Sequence, residues 1–240
     1  MENQYTMGEI HSAMQVLEER IGYKFTDQAL LRQAVTHSSF TNEQRMRRTK
    51  NYERLEFLGD AVLELVSSEF LYQRNRNMSE GELTKTRASM VCEPSLAFCA
   101  RDLDLGNFIL LGKGEEGTGG RSRDSIISDV MEAVIGAIYL DGGMEPAKAF
   151  INRFVLSDLE DKQLFYDSKS TLQELIQGKL KKSFHYELIT ESGPEHNKLF
   201  RVAVYMEDRI LGTGEGRTKK AAEQQAAYQA LLQLRGKGCI

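Results

Sequence analysis

Six carboxylates in two segments carry the first sign of chemistry. Glu53, Glu56, Asp60 and Glu64 recur at spacings of three and four within the run Asn51 to Tyr72. At ~100° per residue of helix, the other three lie within about 60° of Glu53, so all four share one face. Leu55, Leu58, Val62, Leu65 and Val66 fall opposite, and no lysine or arginine interrupts the acids. Like charges three and four apart destabilise a helix, so a solvated acidic stripe is the plain explanation for this segment alone. Asp129 and Glu132 change the balance. They lie in the run Ile126 to Leu140, where nearly every other residue is apolar or small. A helix apolar all round is a buried helix, and carboxylates inside it are costly unless paired or metal-bound. A salt bridge to Arg54 or Arg87 would meet that need. So would a hard cation held between two acidic helices. Ligands that are all oxygen favour Mg²⁺ or Mn²⁺, and such sites serve phosphoryl transfer. Gly136 falls on the face of Asp129 and would let a neighbouring helix approach.

A second constellation lies near the other end. The glycines of Gly212-Thr213-Gly214-Glu215-Gly216 lead into a helix that starts at Thr218, with Lys219 and Lys220 in its first turn. A helix N-terminus favours phosphate, and two lysines add attraction. Two adjacent lysines alone would mean only an ordinary exposed helix start.

The elements that position these groups divide into two sets. Up to about residue 160, helical periodicity predicts an all-α domain: Asn51 to Tyr72 with Asn51 as N-cap, then Leu83 to Val91, Pro94 to Asp102, Ser125 to Leu140 and Ala147 to Leu159. Gly112 to Arg123 holds five glycines and is expected to be a mobile loop. A polar stretch without periodicity, 161–168, reads as a linker between residues 1–160 and 169–236. Beyond it come a helix over Ser170 to Lys181, strands over His185 to Thr190, Leu199 to Met206 and Ile210 to Gly214, and a helix over Thr218 to Leu234. Glu207-Asp208 is expected to turn a hairpin. In the middle strand Phe200, Val202, Val204 and Met206 should face the core. The order α-β-β-β-α predicts a small α+β domain with both helices on one face of the sheet.

Composition narrows the class. The 240 residues are 41% hydrophobic and 28% charged, as globular chains are. No apolar run approaches the ~20 residues that span a bilayer, and the first residues lack a signal-peptide pattern. Three cysteines, Cys92, Cys99 and Cys239, form no CxxC pair. They read as small buried hydrophobes in a reducing, cytoplasmic setting. The net charge of −4 hides an asymmetry. Residues 1–166 carry 19 Lys+Arg against 26 Asp+Glu, and residues 167–240 carry 12 against 9. An acidic first part and a basic second part suggest two modules with different tasks.

Glu53-Arg54-Leu55-Glu56-Phe57-Leu58-Gly59-Asp60-Ala61 resembles the signature segment of the bacterial ribonuclease III family. Thr36-His37-Ser38, Ser79-Glu80-Gly81, Thr86-Arg87-Ala88 and Asp129-Val130-Met131-Glu132-Ala133 fall in place with it. The resemblance covers nearly the whole chain. It implies a Mg²⁺-dependent endonuclease that cuts double-stranded RNA as a homodimer, leaving 5′-phosphate and 3′-hydroxyl ends with short 3′ overhangs. It implies metal ligation by Glu56, Asp129 and Glu132, catalytic roles for Asp60 and Glu132, and outer supporting roles for Glu53 and Glu80. Phe57, which lies beside the acids rather than on the apolar face, would pack into the partner subunit. The basic module resembles a double-stranded RNA-binding domain, which reads duplex shape across two minor grooves. Ser170, Gln173 and Glu174 would contact one groove, the Gly193-Pro194-Glu195-His196 loop the next, and Thr218, Lys219 and Lys220 the phosphates between. His37 reads as a capping or core histidine rather than a general base. A non-catalytic adaptor for structured RNA is the alternative from another class, but no acidic position departs from the family pattern. A phosphohydrolase of small nucleotides would need no duplex clamp.

Overall fold

The computed structural model describes residues 7–157, 168–193, 198–216 and 218–236. The chain forms two compact units, Met1–Ser157 and Asp158–Ile240. The first is helical: α1 (Met7–Ile21), α2 (Gln28–Ala34), α3 (Ser38–Glu43), α4 (Glu53–Arg74), α5 (Glu80–Val91), α6 (Glu93–Asp102), α7 (Lys113–Gly117), α8 (Asp124–Gly142) and α9 (Met144–Phe154). Helix α8 is the axis of this unit, with α2, α4, α6 and α9 packed around it. Its apolar residues from Ile126 to Ile138 are buried, and each such aliphatic side chain contributes ~1.5–3 kcal/mol.

The crossing of α4 and α8 is a backbone-to-backbone contact. A methyl group added at Gly59 would overlap the carbonyl of Glu132, and one added at Gly136 would overlap the carbonyl of Leu55. The close approach expected from Gly136 is present, with Gly59 as its counterpart. Helix α5 begins earlier than its apolar periodicity suggests, because Ser79 and Glu82 form a reciprocal capping box.

The glycine-rich stretch Gly112 to Arg123 departs from the expected mobile loop. It forms α7 and a tight turn, Gly120–Ser122. Arg121 pairs with Glu116 at 2.6 Å and donates to the carbonyls of Gly106 (3.0 Å) and Ile109 (2.8 Å). Arg123 pairs with Glu115 at 2.5 Å. Glycine content suggests an irregular loop, but the segment takes up a helix and a turn with paired charges between the glycines. Cys99 is buried as expected, Cys92 is only half-buried, and Cys239 lies outside the described residues.

Of the stretch read as a linker, only Ser168 is described, and it opens α10 (Ser168–Gln173). The chain continues from α10 through a π-helical turn, Glu174–Lys179, rather than one regular helix. An antiparallel sheet follows, β1 (Phe184–Ser192), β2 (Leu199–Met206) and β3 (Arg209–Gly216), in that spatial order. Glu207-Asp208 turns the β2–β3 hairpin. Helix α11 (Lys219–Gly236) closes the unit. Val202 and Val204 are buried as the alternation requires, and Ala203 is buried between them, which alternation does not foresee. Gly212, Gly214 and Gly216 leave no room for a side chain, because α11 lies directly on β3 along Ala222, Ala226 and Ala230. These glycines, read from the sequence as the approach to a phosphate site, serve helix-on-strand packing. Leu172, Leu175, Ile176, Val204, Leu211, Leu231 and Leu234 complete the core.

Candidate active site and nucleic-acid surface

Helix α4 starts one residue later than an Asn51 cap would place it. Tyr52 occupies the cap position, while the Asn51 side chain still accepts the Glu53 amide at 3.3 Å. From that start the helix presents Glu53, Glu56, Asp60 and Glu64 on one side, and α8 presents Asp129 and Glu132. The Gly59–Gly136 contact brings the two acidic faces together.

Electrostatics shows how closely they interact. Burial pushes the Glu132 carboxyl up to about 8, and Asp60, Glu56, Asp129 and Glu64 each add repulsion. Burial also raises Glu56 to about 7, with Asp129, Glu53 and Asp60 adding to it. Asp129 is raised by burial and by Glu93, against a lowering from the Tyr52 hydroxyl. The salt bridge considered for the α8 acids is not what the structure places there. Arg87 instead pairs with Glu64 at 2.7 Å and donates to Ser68. Glu80 stands apart on α5, accepting a hydrogen bond from Thr84 at 3.0 Å. It is not among the charges that act on Glu56 or Glu132.

Among the described residues, no group of three or more His, Cys, Asp or Glu side chains already stands in metal-ligating geometry. The donor set of Glu56, Asp60, Asp129 and Glu132 is hard oxygen throughout. Half-buried acids that hold protons near neutral pH are groups a divalent cation would relieve, so the chemistry of the set fits one.

Two residues near this cluster escaped the sequence reading. Tyr52 is buried and its hydroxyl donates to Asp129 Oδ2 at 3.3 Å. Glu93, at the start of α6, adds negative charge near Asp129. Both effects come from tertiary contact, and no local spacing announces them. His37 caps α3: its Nδ1 accepts the Ser39 amide at 3.1 Å, and burial holds the imidazole below its ordinary pKa.

Phe57 is 81% exposed. Leu65 and Tyr72, farther along α4, are exposed too, and they line a groove of about 370 Å³ with Leu83, Glu80 and Arg87 of α5.

In the second unit Ser170, Gln173 and Glu174 are exposed, opposite buried Leu172, Leu175 and Ile176. Thr218 caps α11 by accepting the Ala221 amide at 3.1 Å. Lys219 and Lys220 are exposed in its first turn, and the Lys219 ammonium lies 6.0 Å from the Phe200 ring centre. His196 lies outside the described residues.

Comparison with known proteins fits this geometry. Residues 27–159 match the family described as Ribonuclease-III-like, and residues 168–234 match the double-stranded RNA binding motif. A ribonuclease 3 of Bacillus cereus is 50% identical over 225 residues, 93% of this chain and 92% of that protein. The nuclease domain of ribonuclease III from Campylobacter jejuni superposes with a TM-score of 0.56 at 46% identity, covering 59% of this chain and 95% of that one. A second structure of that domain gives a TM-score of 0.54 at the same identity. A helical domain with paired acidic helices, followed by an α-β-β-β-α module, places this chain in the ribonuclease III family.

Proposed function

We propose that the chain is an endoribonuclease that hydrolyses phosphodiester bonds of double-stranded RNA at the carboxylates of α4 and α8. The observation that carries this is the mutual influence of Glu56, Asp60, Asp129 and Glu132 across one helix crossing. The resemblance assigns roles to those same four positions. Glu56, Asp129 and Glu132 would hold Mg²⁺ or Mn²⁺. When bound, the cation supplies an acidified water and offsets charge on the leaving 3′-oxygen. Asp60, exposed beside the half-buried acids, orients the attacking water and accepts its proton. The water oxygen bonds to phosphorus, and the bond from phosphorus to the 3′-oxygen breaks. The departing 3′-oxygen takes a proton from solvent, so the ends are 5′-phosphate and 3′-hydroxyl. Glu53 lies outside this set and supports the site through its charge on Glu56, and Glu80, apart on α5, assists less directly.

Phe57 fits a dimer contact: an aromatic ring this exposed gains ~1.5–3 kcal/mol on burial, and two-fold symmetry supplies two such rings. Two sites in a homodimer, one per strand, leave short 3′ overhangs. The Campylobacter jejuni domain has a region involved in dimer formation, which supports the same assembly here. The second unit holds the duplex, with Ser170, Gln173, Glu174 and His196 toward minor grooves and Thr218, Lys219 and Lys220 on phosphates. Among the described residues no helix is long and apolar enough to cross a membrane. Three cysteines with no CxxC pair among them suit work in the cytoplasm on ribosomal and other structured RNA precursors.

The test is a labelled RNA duplex incubated with the protein, with and without Mg²⁺, beside either strand alone. Cleavage of the duplex only, and only with the cation, is expected. Equal cleavage of single strands would overturn the substrate assignment, and undiminished cleavage in excess chelator would overturn the metal.

A further inference from the structure

Thr36-His37-Ser38 is a motif of the sequence that the carboxylate chemistry leaves without a task, and it leads to Tyr52. The Tyr52 amide donates to the Thr36 carbonyl at 2.9 Å. Thr36 itself bridges Leu110, and the His37 amide donates to the Leu110 carbonyl at 3.1 Å. The His37 ring packs against the Tyr52 ring at 5.7 Å between centres. That imidazole is fixed in turn, since its Nδ1 meets both the amide and the hydroxyl of Ser39. The Ser39 hydroxyl also accepts the Gly112 amide at 2.9 Å. Tyr52 is thus only 4% exposed and held at both its backbone and its ring.

The free end of this assembly is the Tyr52 hydroxyl, and it donates to Asp129 Oδ2 on α8. The Tyr52 carbonyl, meanwhile, accepts the amides of Leu55 (2.8 Å) and Glu56 (2.9 Å), which start α4. One residue therefore sets the origin of the helix that carries Glu56 and Asp60 and grips a carboxylate of the other helix. A donor on one carboxylate oxygen stops the group rotating and leaves the second oxygen for a cation. Outer hydrogen bonds of this kind orient metal ligands and tune their affinity.

We infer that Tyr52 is a positioning residue that presets the Asp129 carboxylate for the divalent cation, with the Thr36-His37-Ser38 segment as its anchor. This rests on the metal-dependent reading above and adds a residue to it. The ring alone cannot do this, because phenylalanine would fill the same space and donate nothing.

Tyr52→Phe separates the two roles. Mn²⁺ is titrated calorimetrically into the full chain without RNA, for wild type and for Tyr52→Phe, and both are melted without metal. The variant is expected to melt with wild type and to bind Mn²⁺ ~10–100-fold more weakly, the range for lost outer partners of metal ligands. In cleavage assays the half-saturating metal concentration should rise while the rate at saturating metal largely returns. In an Asp129→Asn background the same change should leave Mn²⁺ binding as it was, because the partner it orients is already lost. Wild-type Mn²⁺ affinity in Tyr52→Phe, or equal effects with and without Asp129, would overturn the positioning role alone. A wild type that binds no Mn²⁺ would overturn the metal reading together with it.

Discussion

Gly59 of α4 and Gly136 of α8 face each other where the two helices cross, each with no room for a side chain. A methyl group at either position meets the other helix's backbone, which cannot rotate away as a side chain could. Gly59→Ala and Gly136→Ala should each force the helices apart, at a cost of at least the ~1–3 kcal/mol typical of overpacking. Thermal melting would register the loss. Cleavage should fall further than the melting shift explains, because the two acidic faces separate with the helices.

The raised carboxyls make stability and metal binding depend on pH in a fixed direction. Glu132 is raised from an ordinary 4.5 to about 8, and Glu56 to about 7. The folded state therefore holds more protons than the unfolded state between about 4.5 and 8. The stabilisation linked to these groups is full below the unfolded value and is lost as pH rises through the folded ones. In a metal-free sample at low salt this contribution should favour pH 5.5 over pH 8.5. Added Mg²⁺ should raise the melting temperature more at pH 8.5, where fewer protons need displacing. A metal-induced shift that is larger at pH 5.5 would contradict the coupling.

Exposed lysines at the start of α11 should act on affinity without reading sequence. Lys219→Ala with Lys220→Ala should weaken duplex binding for all sequences alike. It should also flatten the dependence on salt, since each phosphate contact contributes ~0.9 to the log–log slope on duplex DNA; for RNA the same direction holds. Binding titrations at several salt concentrations would show it, and an unchanged slope would remove these residues from the phosphate contact.

Phe57→Glu should shift the protein toward monomer and abolish duplex cleavage, with every acid of the cluster retained. Sedimentation and light scattering at low micromolar protein would decide it. A variant that stays dimeric would place Phe57 outside the interface.

How far the site was legible in the sequence depended on the range of the contacts. Helical spacing alone placed Glu56 and Asp60 on one face and set Phe57 off the apolar side, because those relations lie within one helix. The continuous apolar run marked α8 as buried, and Gly136 marked where a partner helix could come close. Long-range pairing was not legible. The Tyr52–Asp129 hydrogen bond joins residues 77 apart in the chain. The choice of Arg87 for Glu64, rather than for an α8 acid, depends on where α5 packs. Gly112 to Arg123 misled through composition, since Glu115 and Glu116 find their arginines only once the segment has folded. The glycines of β3 misled in the other direction, because local spacing cannot tell a phosphate approach from a surface made flat for a helix.

The most direct measurement is cleavage and binding of one RNA duplex by wild type and Glu132→Gln in the same Mg²⁺ buffer. The substitution keeps the shape of a half-buried side chain and removes its charge. Cleavage should drop by more than the ~10–100-fold that follows loss of an outer partner, while duplex affinity stays near that of wild type, because the lysines of α11 are untouched. Cleavage by Glu132→Gln near the wild-type rate at saturating Mg²⁺ would contradict the assignment of the chemistry to the α4 and α8 carboxylates.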